Sequence, residues 1–219
     1  MSRLKKTRTK STERPVPRHI RKLRQIRLEV AAEAARIIAT EGQPNYRAAK
    51  KKAADRIGVS ERLALPSNLE VQDALNTYQE LYGGEAHRAN LERLRRTAVE
   101  AMQLLDRFNP RLVGPVLDGT ANSHSRISLH VFADSVESVI LFFLERGAVF
   151  RQEQRQIRWF NGEHRLVPLV VVSLAGAEIE LAVFEPVHLR QAPPSPIDGR
   201  PQHRAPVGEV EYLLRERFA

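Results

Sequence analysis

Two short segments carry side chains whose types and spacing suit phosphate and metal chemistry. In Ser125-Arg126-Ile127-Ser128-Leu129-His130-Val131-Phe132, polar residues recur at every second position, and Ala177-Glu178-Ile179-Glu180-Leu181 places two carboxylates the same way. Side chains of an extended strand alternate between its faces, so Arg126, Ser128 and His130 share one face while Ile127, Leu129 and Val131 turn toward a core. Glu178 and Glu180 share a face by the same rule. If the two strands are neighbours, these groups gather in one cleft, with Asp118 and His124 at its mouth. Glu180 and His130 are then the candidate ligands for a single divalent cation. The set lacks the carboxylates needed to clamp two metal ions for phosphoryl transfer. A simpler arrangement also satisfies the pattern, with His130 packed inside a strand and Glu178 and Glu180 on a solvated face.

The elements that must position these residues fall into two blocks. Apolar residues recur at helical spacing over about His19–Thr40, and further helices are expected at Tyr46–Ile57, Asn68–Leu81 and Glu85–Phe108, punctuated by Gly42, Gly58 and Gly83-Gly84. Asn109-Pro110 marks a change of period. Strands are expected at 111–117, 127–133, 151–159, 166–174 and 177–185, interrupted by one helix over Ser135–Gly147. Residues 189–207 contain five prolines and read as an extended wrap, followed by a helix over Gly208–Arg217. The expected organisation is a disordered basic arm (1–18), a helical domain (19–108), an α+β domain around a mixed sheet (109–188), and the wrap with its terminal helix (189–219).

Charge is distributed unevenly. The net formal charge is +9, yet residues 1–27 hold eleven Lys or Arg against Glu13 alone, which leaves the remainder near neutrality. A basic arm of this kind neutralises phosphates and releases counterions, so Lys5, Lys6, Arg8, Lys10, Arg18, Arg21, Lys22 and Arg24 are the candidate nucleic-acid contacts. There is no cysteine, which excludes disulfides, thiolate metal sites and cysteine nucleophiles. The longest apolar run, VPLVVVSLAG, is about half of the roughly 20 residues that a membrane helix needs. No apolar segment follows the basic start as in a secretory signal. A cytoplasmic location with no membrane partner is the expectation. Lys50, Lys51 and Lys52 with Arg47 and Arg56 form a second basic patch on the second helix.

The order of strand, Gly119-Thr120 turn, strand, helix and further strands resembles the minimal nucleotidyltransferase domain of the DNA polymerase beta-like superfamily. Over most of its length the chain is also similar to a group of bacterial proteins described as nucleotidyltransferase-like, through YRAAKKKAADRIG, LPSNLEVQDALNTYQELY, FNPRLVGPVLDGTA, LHVFADSVE and SPIDGRP. The resemblance implies that Gly119 and Thr120 hold nucleotide phosphates on their backbone amides. It also implies that Glu180 is the third metal-binding acid, and that Mg²⁺ or Mn²⁺ with a nucleoside triphosphate is the cofactor set. At the two positions where the superfamily carries its paired acids, this chain has Arg126 and Ser128. A degenerate site that binds nucleotide or RNA (RNA rather than DNA), with Arg126 meeting phosphate, is the first expectation. Two others stand beside it. One is an active transferase on RNA or protein in which Glu178 and Glu180, with Ser128 beside them and an acid such as Asp118, replace the usual set. The other is a non-enzymatic module that docks a protein partner.

Overall fold

The computed structural model describes residues 17–42, 45–60 and 65–215. Lys5, Lys6, Arg8 and Lys10 of the arm therefore lie outside the described residues. Helix α1 (Arg18–Glu41) forms because Ile26, Val30, Ala34, Ile37 and Ile38 fall on one stripe, and it ends where Gly42 adopts a left-handed conformation, φ 66°. Helix α2 (Tyr46–Ile57) starts at Asn45, whose Oδ1 accepts from the Arg47 and Ala48 amides, and ends at Gly58. Helix α3 (Asn68–Tyr82) opens with a capping box, Ser67 and Glu70 each satisfying an amide of the other. Small residues of α2 (Ala49, Ala53, Ala54) let it approach α1 closely, and Val71 and Leu75 of α3 close this first core.

Helix α4 (Gly84–Leu104) has the same helical period but a different allegiance. Its Leu91, Leu94, Ala98 and Met102 are buried in the core of the sheet. It ends four residues earlier than its periodicity suggests. A 3-10 turn (Asp106–Phe108) follows, closed by Asn109 at φ 47°. Strand β1 is shorter than expected, Arg111–Val113 rather than 111–117, because Gly114 takes a conformation closed to other residues (φ 70°, ψ −154°) and Pro115 begins a single helical turn, α5 (Pro115–Asp118). The chain continues with β2 (Ile127–Phe132), α6 (Val136–Leu144), β3 (Phe150–Arg158), β4 (His164–Leu174), β5 (Ala177–Phe184), a 3-10 turn (Pro186–Leu189) and α7 (Val207–Arg215).

The protein is thus of the α+β class. The five strands form one mixed sheet in the order β1-β2-β5-β4-β3, in which β2 and β5 are parallel and every other pair is antiparallel. One face carries Ile127, Leu129, Val131, Ile179, Leu181 and Val183, and α4, α6 and α7 cover it. A fully buried leucine such as Leu129 or Leu181 contributes about 2 kcal/mol by transfer from water. Among the described residues no helix is long and apolar enough to cross a membrane.

Two connections hold the helical block against the sheet. The loop after α5 donates Asn122 Nδ2 to the Ile38 carbonyl at 2.8 Å, and His124 lies against Gly42 so closely that a Cβ there would fall 2.7 Å from its ring. The wrap returns across both blocks. Its Pro196 carbonyl accepts from Asn68 Nδ2 at 2.7 Å, and Ala205 exchanges both backbone hydrogen bonds with Leu112.

Candidate functional site on the open face of the sheet

Among the described residues no α-helix packs on the apolar cluster of the other face of the sheet. At one end that face is apolar, where Phe132, Trp159, Val167, Leu169 and Phe184 pack together. At the other end it is charged. The parallel pairing sets Ser128 directly beside Glu180, and alternation brings Arg126 and Glu178 onto the same face one step back. β3 adds Arg151, Glu153 and Arg155 at every second position, paired with Val171, Leu169 and Val167 of β4.

Three carboxylates and three guanidiniums interlock there. Glu180 is 2% exposed, and Arg155 donates to both of its oxygens, at 2.6 and 2.5 Å. This fork-to-fork geometry is the strongest form of ion pair available to side chains. Arg126 lies among all three acids: Nε donates to Glu178 at 2.9 Å, Nη1 donates to Glu153 at 3.1 Å, and Nη1 stands 3.6 Å from Glu180. Arg151 donates to the second oxygen of Glu178 at 2.7 Å. The Arg151 hydrogen bond, with the charges of Arg126 and Arg151, holds the Glu178 carboxyl below its ordinary value despite some burial. Burial works against the Arg126 charge, but hydrogen bonds and charges from Glu153 and Glu178 outweigh it and raise that guanidinium above its usual range.

His130 sits two residues along β2, opposite Ala182 rather than beside Glu180. Its Nδ1 accepts from Arg204 Nε at 2.9 Å, which leaves the ring proton on Nε2. Burial, together with the charges of Arg204 and Arg155, lowers its pKa to about 3.

A divalent cation does not fit these residues. Glu180 has both oxygens engaged, the one assignable lone pair of His130 is taken, and a guanidinium occupies the space between the acids. Among the described residues no group of three or more His, Asp or Glu is arranged to hold a metal ion. Glu180 and His130 lie on the same face, and each is bonded to a different arginine.

The Gly119-Thr120 turn is also engaged elsewhere. The amides of Gly119, Thr120 and Ala121 all point at the Pro115 carbonyl, and Gly119 adopts φ 84° to allow it. The Gly119 carbonyl meets His87 Nε2 at 3.1 Å, and the Thr120 carbonyl accepts from Gln79 Nε2 at 2.8 Å. The turn docks α3 and α4 and presents no free amide cradle for phosphate. Asp118 and His124 belong to the same inter-block junction. Burial raises the Asp118 carboxyl, partly offset by His203 and Arg95.

Of the described basic residues, Arg18, Arg21, Lys22 and Arg24 are exposed on the first turns of α1 and have no ion-pair partner among the described residues. The patch on α2 is different. Lys52 and Arg56 bridge to Glu41, Arg56 also to Glu33, and Lys50 Nζ caps the Pro66 carbonyl.

Residues that sequence reasoning passed over are Arg151, Glu153 and Arg155. Their alternation is visible in RQEQRQIRW, but its meaning depends on β3 lying two strands from β5. Arg204, from the wrap, also lies on this face, where its Nε donates to His130 Nδ1. No protein-family model matches the chain, and no curated protein matches it either.

Proposed function

We propose that this chain is a nucleotidyltransferase-like protein that binds RNA, or a nucleotide, without transferring a nucleotidyl group. The observation that carries this reading is the seat of Arg126 among Glu153, Glu178 and Glu180. A guanidinium supplies positive charge but has no coordination sites. It cannot bridge an attacking and a leaving oxygen as a metal ion does. The acids neutralise arginines and hold the open face rigid, so Glu180 and Glu178 act in positioning rather than in bond making. Affinity comes mainly from the exposed cations at the start of α1 and the basic sequence before it, which neutralise the phosphate backbone whatever its bases.

The test is a salt titration. A single-stranded, fluorescein-labelled RNA of about 20 nucleotides is followed by anisotropy from about 50 to 300 mM salt. Log affinity is expected to fall linearly with log salt. Replacing Arg18, Arg21, Lys22 and Arg24 together by Gln is expected to flatten that slope by about 3, since each single-strand phosphate contact adds about 0.7. Equal slopes would mean that the helix start does not touch phosphate. Absence of binding at the lowest salt would contradict the reading as a whole.

A further inference from the structure

We propose that Arg111 and Arg204 form a seat for one phosphate group on the open face of the sheet, beside Ser128. The proposal rests on the nucleotide- or RNA-binding reading above and names a place for the ligand that is neither the Gly119-Thr120 turn nor the Arg126 cluster. Register sets the geometry. Arg111 of β1 pairs with His130, and Val113 pairs with Ser128, so Arg111 rises from the same patch of sheet as the imidazole and the hydroxyl.

Arg204 comes from the wrap and is held in place at three points. Nε donates to His130 Nδ1 at 2.9 Å, Nη1 donates to the His188 carbonyl at 2.6 Å, and the guanidinium lies 5.1 and 5.2 Å from the rings of Phe132 and Phe184. Its remaining nitrogen, Nη2, is buried and has no acceptor. Arg111 is restrained by its own strand start, where Nη1 donates to the Asn109 and Pro110 carbonyls at 3.3 and 2.9 Å.

Neither guanidinium has a carboxylate within ion-pair distance among the described residues, in contrast to Arg126, Arg151 and Arg155 on the same face. Burial and the neighbouring charge of Arg111 together depress the Arg204 guanidinium to about 10. A cation that feels the charge of a second cation and keeps an unsatisfied buried donor is an unfavourable arrangement that a nearby bound anion relieves. Ser128 adds a half-buried hydroxyl with no hydrogen bond among the described residues. Planar donors and a hydroxyl are the groups that recognise phosphate oxygens.

The phosphate can belong to a free nucleotide or to an RNA backbone, and the experiment separates the two. A fluorescent ATP analogue and a labelled uridine oligonucleotide are titrated into the full chain, the Arg111→Gln variant, the Arg204→Gln variant and the four-residue α1 variant, each checked for its native circular-dichroism spectrum. Arg111→Gln is expected to weaken binding roughly tenfold, the usual consequence of deleting a charge-assisted contact. Loss confined to the ATP analogue identifies a nucleotide seat, and loss confined to the oligonucleotide a backbone seat. The α1 variant should still bind the ATP analogue if the seat serves nucleotide. If Arg204→Gln does not fold, Arg111→Gln decides alone. Folded Arg111→Gln that binds both probes as the unaltered chain does would overturn the seat and leave the arm reading intact. An unaltered chain that binds neither probe would overturn both.

Discussion

Replacing Arg155 by Ala is expected to destabilise the protein by about 3 kcal/mol, the largest loss among single changes on the open face. Glu180 is 2% exposed and depends on Arg155 for both oxygens. Removing the arginine leaves a buried carboxylate with only Arg126 at 3.6 Å to compensate it. Breaking a buried pair from one side commonly costs 3–5 kcal/mol. The low end applies here, because the Arg155 side chain is half exposed and water can follow it out. For a chain of this length the melting temperature should fall by about 6–12 °C.

The asymmetry of the pair makes the prediction sharper. Glu180→Gln removes the buried charge and leaves the unpaired cation on the solvent side, so it should cost about 1 kcal/mol. Arg155→Met combined with Glu180→Leu should return most of the loss, since apolar pairs of similar volume replace buried ion pairs with little penalty. Urea denaturation of the three variants checks the order. A Glu180→Gln variant less stable than Arg155→Ala would mean that the carboxylate, not the arginine, is the supporting partner.

Stability should also fall as pH drops from about 6.5 toward 3, because His130 accepts a proton in the unfolded chain long before it does so in the folded one. Its folded pKa is lowered to about 3, against about 6.5 for an unperturbed histidine. A histidine whose folded value is depressed contributes stability that is complete above the unfolded value and is lost progressively on the way down. The slope approaches 1.4 kcal/mol per pH unit, so roughly 2–3 kcal/mol should go between pH 6.5 and 4.5.

That window lies above the range of the depressed carboxylates. Glu33, Glu41, Glu70 and Glu178 all have lowered folded values, and their contributions are lost only as pH falls below about 4.5. His130→Gln keeps an acceptor for Arg204 Nε and removes the titration. Its stability should not fall across the window, where the raised Asp118 carboxyl acts in the opposite sense. Parallel profiles for the two proteins would show that His130 is not the group responsible.

How much of this was legible in the sequence depends on the range over which each feature is decided. The faces of β2 and β5 were readable because alternation is local, and so were the polar sets they carry. The strand adjacency that joins Ser128 to Glu180 was supplied by the resemblance, and the register agrees with that adjacency. The charged partners were not readable. Arg151, Glu153 and Arg155 look like an ordinary solvated strand until β3 is known to stand beyond β4, within arginine reach of β5.

The Gly119-Thr120 turn shows the same limit from the other side. A Gly-Thr dipeptide after a strand suits an open amide cradle, but whether its amides are free is decided by Pro115, four residues back, whose carbonyl takes all of them. Pro115 was visible, but in a run whose apolar pattern reads as strand. Helix α4 was recognised as a helix and grouped with its sequence neighbours, because helical period reports which residues are buried and not against what. Arg204 could be suspected from a basic residue in a proline-rich wrap. Its place over Phe132 and Phe184 could not.

The most direct test of the proposal that Arg126 and Arg155 have taken Glu180 out of chemistry is a transfer assay. The unaltered chain is incubated with α-labelled nucleoside triphosphates, Mg²⁺ or Mn²⁺, and RNA or protein acceptors, and label bound to macromolecule is counted. No incorporation above an enzyme-free blank is expected with any metal. Incorporation that depends on the metal and disappears in Glu180→Gln would contradict the claim that Arg126 and Arg155 have taken the acid out of chemistry.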